Sequence, residues 1–102
     1  MIYKYGELPP NQIKKQKIYL QKAIFQLIPF REEKYEFLDE RFNSLLQQLN
    51  GLNALFQNQP IIITIMSLLE SARHEEDFAN YRKDILDATA LVGQIKDGDS
   101  DV

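Results

Sequence analysis

The chain has 102 residues, 44% hydrophobic and 26% charged, with a net charge of −3 and no cysteine. Length and composition are those of one ordinary globular domain, not of a disordered chain. The missing cysteine excludes disulfides, thiolate metal sites and a cysteine nucleophile.

Residues 1–10 read as an extended N-terminal arm. Ile2, Tyr3 and Tyr5 alternate loosely, Gly6 interrupts them, and Leu8-Pro9-Pro10 forces a turn or polyproline conformation. A first helix is predicted over about 11–28. Asn11 is its expected N-cap, Ile13, Leu20, Ile24 and Leu27 form its inner face, and Tyr19, Phe25 and Ile28 widen that face. Pro29 is expected to end or kink it, having no backbone donor and a ring that crowds the preceding turn.

The second predicted helix, about 31–57, organises the rest. Tyr35, Leu38, Phe42, Leu45, Leu49, Leu52 and Phe56 follow at intervals of three and four, which places them on one narrow helical stripe. Phe37, Leu46 and Leu55 broaden it beyond a two-stranded seam, favouring burial in a bundle of three or four helices. Gly51 falls late in this helix, and the reading taken is a close helix crossing.

Pro60 opens a third predicted helix, 60–73, where a missing N–H is tolerated. Ile61 to Ile65 has strong β propensity, but no second segment with a period of two is present to pair with it. A helix is therefore predicted, apolar nearly all round and central to the fold. A fourth helix, about 76–96, repeats the heptad spacing through Phe78, Tyr81, Ile85, Ala88, Val92 and Ile95. The stripes of the second and fourth helices are expected to pack on each other. Gly98 terminates the helix, and residues 97–102 form an acidic tail expected to be mobile. The fold class is thus all-α, a small bundle of about four helices in one domain, 1–102.

Little in this pattern points to chemistry. His74 is the single histidine, in the acidic run His74-Glu75-Glu76-Asp77, and reads as a helix start with charges matched to the dipole, not as a metal ligand. The carboxylates Glu32, Glu33, Glu36, Asp39 and Glu40 read as a solvated face interspersed with Lys34 and Arg41. No nucleophile elbow and no glycine-rich phosphate loop occurs. No enzyme activity, cofactor, metal or small-molecule substrate is expected.

The charge is nevertheless polarised. Residues 1–31 carry Lys4, Lys14, Lys15, Lys17, Lys22 and Arg31 against Glu7, whereas residues 51–102 carry four basic and nine acidic residues. The expected function is a non-enzymatic helical protein–protein interaction or assembly protein. It self-associates or docks on a partner protein through Ile2, Tyr3, Tyr5, Phe25, Phe30 and Phe37. One alternative is a nucleic-acid accessory factor contacting phosphates through Lys14, Lys15, Lys17 and Lys22; another is an inhibitor or immunity-type protein that masks a partner. No signal peptide is expected, since the N-terminus lacks an apolar core region. No membrane association is expected either, because Pro60–Leu69, the longest apolar stretch, is about half a span. A cytoplasmic location follows as the expectation.

Overall fold

Proline placement sets where the chain starts and breaks its helices. In the computed structural model, which describes residues 10–56 and 59–95, Pro10 opens α1 (Pro10–Phe25). Asn11 therefore lies inside the helix and not at the position expected of its N-cap. Pro29 interrupts this helix four residues ahead of itself: Phe25, whose carbonyl would have accepted from the absent proline N–H, is the last residue of α1. The chain stays near-helical through Gln26 and continues as the short α2 (Leu27–Glu32), with Pro29 inside its first turn.

The predicted second helix does not begin at residue 31. After α2 the chain closes a Schellman turn: Tyr35 N donates to Phe30 O at 2.9 Å and Lys34 N to Arg31 O at 3.1 Å. Lys34 takes the left-handed position this turn requires, with φ of 55°. Only then does α3 (Leu38–Leu55) start, so Tyr35 and Phe37 stand outside the helix to which their spacing had assigned them.

The third predicted helix is found at its expected bounds as α4 (Pro60–Arg73), and Ile61 to Ile65 are helical. Hydrophobic spacing at Ile62, Ile65, Leu69 and Ala72 outweighs local β propensity, since these four are fully buried. The helix is not apolar-packed all round, because Ile63 is 51% exposed. The run from His74 to Asp77 is the connection. Asp77 caps α5 (Phe78–Val92) by accepting from Asn80 N at 3.1 Å.

α1, α3, α4 and α5 form an up-and-down bundle in which spatial neighbours run antiparallel. α4 packs extensively on α3 and on α5, and α1 packs on α5. Rim hydrogen bonds fix these registers. Gln21 Nε2 donates to Thr89 O at 3.1 Å and Lys17 Nζ to Ile95 O at 2.6 Å, while Arg73 Nε reaches Asp39 at 2.7 Å and its Nη2 reaches Asn43 at 2.6 Å. The Arg73 hydrogen bond and charge hold the Asp39 carboxyl below its usual value.

The stripes of α3 and α5 are therefore diagonal rather than adjacent, which corrects the expected pairing. They meet through the edge-to-face rings of Phe42 and Tyr81, with centroids 6.3 Å apart. Both stripes still face the core: Phe42, Leu45, Leu49, Tyr81, Ile85, Ala88 and Val92 are all buried. A heptad marks the buried side of a helix but not its neighbour. Tyr19 and Phe25, expected to widen the inner face of α1, are 54% and 50% exposed. Gly51 is no crossing point, as a Cβ there would meet nothing within 4 Å.

α2 lies across one end of the bundle and touches α1, α3 and α5. Arg31 fixes it there, its guanidinium donating to Glu75 O at 2.7 Å and Glu76 O at 2.6 Å and lying 4.4 Å from the Tyr81 ring centroid. The Tyr81 hydroxyl donates to Leu27 O at 2.6 Å, and burial pushes its pKa up to about 12.

Candidate functional site

The same turn that delays α3 builds a surface of aromatic rings. The hydrophobic contact that accompanies a Schellman turn is here Phe30 against Tyr35, stacked with centroids 4.8 Å apart. Phe37 meets Tyr35 edge-on at 5.7 Å, and the Arg41 guanidinium carbon lies 5.8 Å from the Phe30 centroid. Phe37 is 46% exposed, Phe30 and Tyr35 are half-buried, and Arg41 is exposed. A depression of about 400 Å³ is lined by Tyr35, Phe37, Glu40, Arg41 and Ser44.

This surface continues into the seam between α1 and α3. These two helices approach each other sparsely, unlike the other neighbours in the bundle. A narrow crevice follows, with Tyr19 and Ala23 of α1, and Gln26 just after it, facing Arg41, Ser44, Leu45 and Gln48 of α3. Each wall has a regular edge. Lys15, Tyr19 and Lys22 on α1 with Gln26 just after it, and Phe37, Arg41, Ser44 and Gln48 leading into α3, share the spacing i, i+4, i+7, i+11. Glu40 is the acid lining the adjacent depression, against the cations Lys15, Lys22 and Arg41.

The structure thus brings Phe30 and Phe37 together and adds Tyr19, Tyr35 and Arg41 to them. Phe25 points away, into a separate shallow depression lined by Gln21, Lys22, Gln26 and Thr89. Ile2, Tyr3 and Tyr5 lie outside the described residues. Of the four lysines, Lys14, Lys15 and Lys22 are exposed, whereas Lys17 is half-buried and holds the Ile95 carbonyl. Tyr35 was hidden from sequence reasoning by its place at the head of the heptad. Arg41 was masked by the acids around it.

Among the described residues no three His, Asp or Glu side chains converge as metal ligands. His74 Nε2 stands 3.7 Å from Glu70 Oε2, and both side chains are exposed. No helix of the described residues is long and apolar enough to cross a membrane.

No family model and no solved structure matches the chain. A stretch of 65 residues, 63% of the chain, is 35% identical to part of the kinesin-like protein KIN-12A of Arabidopsis thaliana. The chain spans about 5% of the length of that protein.

Proposed function

We propose that the chain is a non-enzymatic helical interaction domain that docks on a partner protein through the face formed by Tyr19, Phe30, Tyr35, Phe37 and Arg41. The observation that carries this reading is a packed set of rings, Phe30, Tyr35 and Phe37, left in contact with water beside Arg41, with Phe37 46% exposed and Tyr19 on the adjoining crevice 54% exposed. Aromatic rings and arginine supply most of the energy at protein interfaces. Rings already stacked on one another lose little further freedom when a partner covers them. The partial likeness to a kinesin-like protein assigns no role to any of these residues. A cytoplasmic site of action belongs to the same proposal.

The test is site-specific photo-crosslinking in the cells that make the protein. A photoreactive side chain at Phe37 is expected to capture a discrete protein, and Arg41→Glu is expected to abolish the capture. The same group at Ala79, exposed on α5, is the control; equal capture at both positions would sink the reading.

A second reading is favoured by one observation: α1 exposes Lys14, Lys15 and Lys22 and contains no acidic residue. Contact with nucleic-acid phosphates would then be steeply salt-dependent. It would be lost when these three lysines are changed to glutamate.

A further inference from the structure

We infer that the occupant of the α1–α3 seam is an acidic amphipathic helix, laid lengthwise against α1 and α3 as a fifth member of the bundle. This inference rests on the docking reading above and adds the partner's chemistry. The seam has the form that takes a helix: two antiparallel helical walls that barely close on each other, with the crevice between them floored by Ala23 and Leu45. Its walls repeat at i, i+4, i+7 and i+11, the spacing of a helix edge that receives side chains of a neighbouring helix.

Charge selects among helices. The α1 edge offers Lys15 and Lys22 with Tyr19 between them and Gln26 just beyond, and α1 contains no acid to neutralise these lysines. The α3 edge offers Arg41, followed by the uncharged Ser44 and Gln48. Glu40 is the one acid lining the depression beside Phe37. A helix with aliphatic side chains on its inner face and carboxylates along both flanks would fill the crevice, cover Tyr19 and Phe37, and set its acids against Lys15, Lys22 and Arg41. A basic helix would set like charges against Lys15 and Lys22 on one wall and Arg41 on the other, and that juxtaposition is repulsive.

The experiment uses three fluorescein-labelled synthetic helices of about three heptads. All have leucine at the a and d positions; the flanking positions carry glutamate, glutamine or lysine. Binding to the full chain is read by anisotropy at low salt, and the bound face by backbone amide NMR shifts. The glutamate peptide is expected to bind about tenfold more tightly than the glutamine peptide, and the lysine peptide more weakly than either. Shifts are expected at Tyr19, Ala23, Phe37, Ser44 and Gln48. Arg41→Glu is expected to weaken the glutamate peptide about tenfold and improve the lysine peptide. Glu40→Gln, a conservative change at an exposed site, is expected to strengthen the glutamate peptide.

Equal binding of all three peptides in the seam would overturn the acidic partner and leave the docking reading standing. No shift in the seam with any peptide would overturn both. Seam shifts produced by a single-stranded oligonucleotide, with none from the glutamate peptide, would assign the face to nucleic acid. A concentration-dependent dimer abolished by Tyr19→Ala would assign it to a second copy of the chain. Either result would overturn the inference.

Discussion

The α4–α5 hairpin and the α2–α3 corner are built from similar apolar residues, yet they use them in opposite ways. In the hairpin, Ile62, Ile65, Leu69, Tyr81 and Ile85 are turned inward and at most 1% exposed, and the link is a short acidic run ending in the Asp77 cap. At the corner, Phe30 stacks on Tyr35, Phe37 meets Tyr35 edge-on, and the set stays partly exposed around a lysine with positive φ. The hairpin rings and aliphatic chains hold the core together. The corner rings are held in place by their turn, by Arg41 and by each other, and none of them is fully buried. Apolar residues kept in that condition are what the proposed docking surface would require.

Substitutions in the two regions test this contrast. The largest effect is expected for Leu49→Asp, which buries an unpaired charge in a fully enclosed position and should cost about 4 kcal/mol or more. Leu45→Asp should behave similarly and Gln48→Asp should be mild. Phe37→Asp at the corner should cost less than about 1 kcal/mol in chemical denaturation. A loss there comparable to that of Leu49→Asp would show that the corner belongs to the core, and the contrast would fail.

Next in size is Arg31→Ala, expected to cost about 2 kcal/mol because the Glu75 and Glu76 carbonyls lose a charged donor and the Tyr81 ring its cation. The α4–α5 link should then exchange its amide hydrogens faster while the middle of α4 does not. Tyr81→Phe is expected to cost about 1 kcal/mol near neutral pH by leaving the Leu27 carbonyl without its donor. It also has a pH signature. The fold favours the neutral phenol, raising its pKa from 10.0 to about 12. That contribution is complete below pH 10 and is lost as pH rises through about 12. Denaturation midpoints of the unmodified chain should therefore fall over this window, and those of Tyr81→Phe should fall less.

The smallest effects are gains. Gly51→Ala, inside α3 with open space at the Cβ position, should add about 1 kcal/mol. Lys34→Gly removes the left-handed lysine and should add up to about 1 kcal/mol. Neither should alter docking at the corner. A Lys34→Gly chain that gains stability but loses crosslinking through Phe37 would show that the lysine itself is a contact.

Sequence patterns revealed burial well and adjacency poorly. Pro60 and the spacing of Ile62, Ile65 and Leu69 were enough for α4, because a helix start and a 3.6-residue period are local properties. The stripe of α3 was legible for the same reason. Its beginning was not, since Tyr35 fits the heptad arithmetically while sitting one residue beyond the lysine that ends the preceding turn. The break at Phe25 was mislocated because the proline's effect falls on the carbonyl four residues earlier. Gly51 was readable: two residues from Leu49, it falls off the buried stripe and could not mark a crossing. Arg31 gave no local sign of its task, since its acceptors lie 44 and 45 residues away in sequence. Of the proposed docking face, Phe30 and Phe37 were found as surplus aromatics. Tyr19, Tyr35 and Arg41 needed the fold to bring them alongside.

The pairing of α1 with α5 has a consequence for how the chain matures. The first helix finds its extensive partner only in the last one, after α2, α3 and α4 have been made. On the ribosome, α3 and α4 can therefore zip together while α1 still shows Leu20 and Ile24 to water. Closure of the ring of helices waits for α5 to be made, so a truncation within α5 is expected to strand α1 as well as remove the residues it deletes.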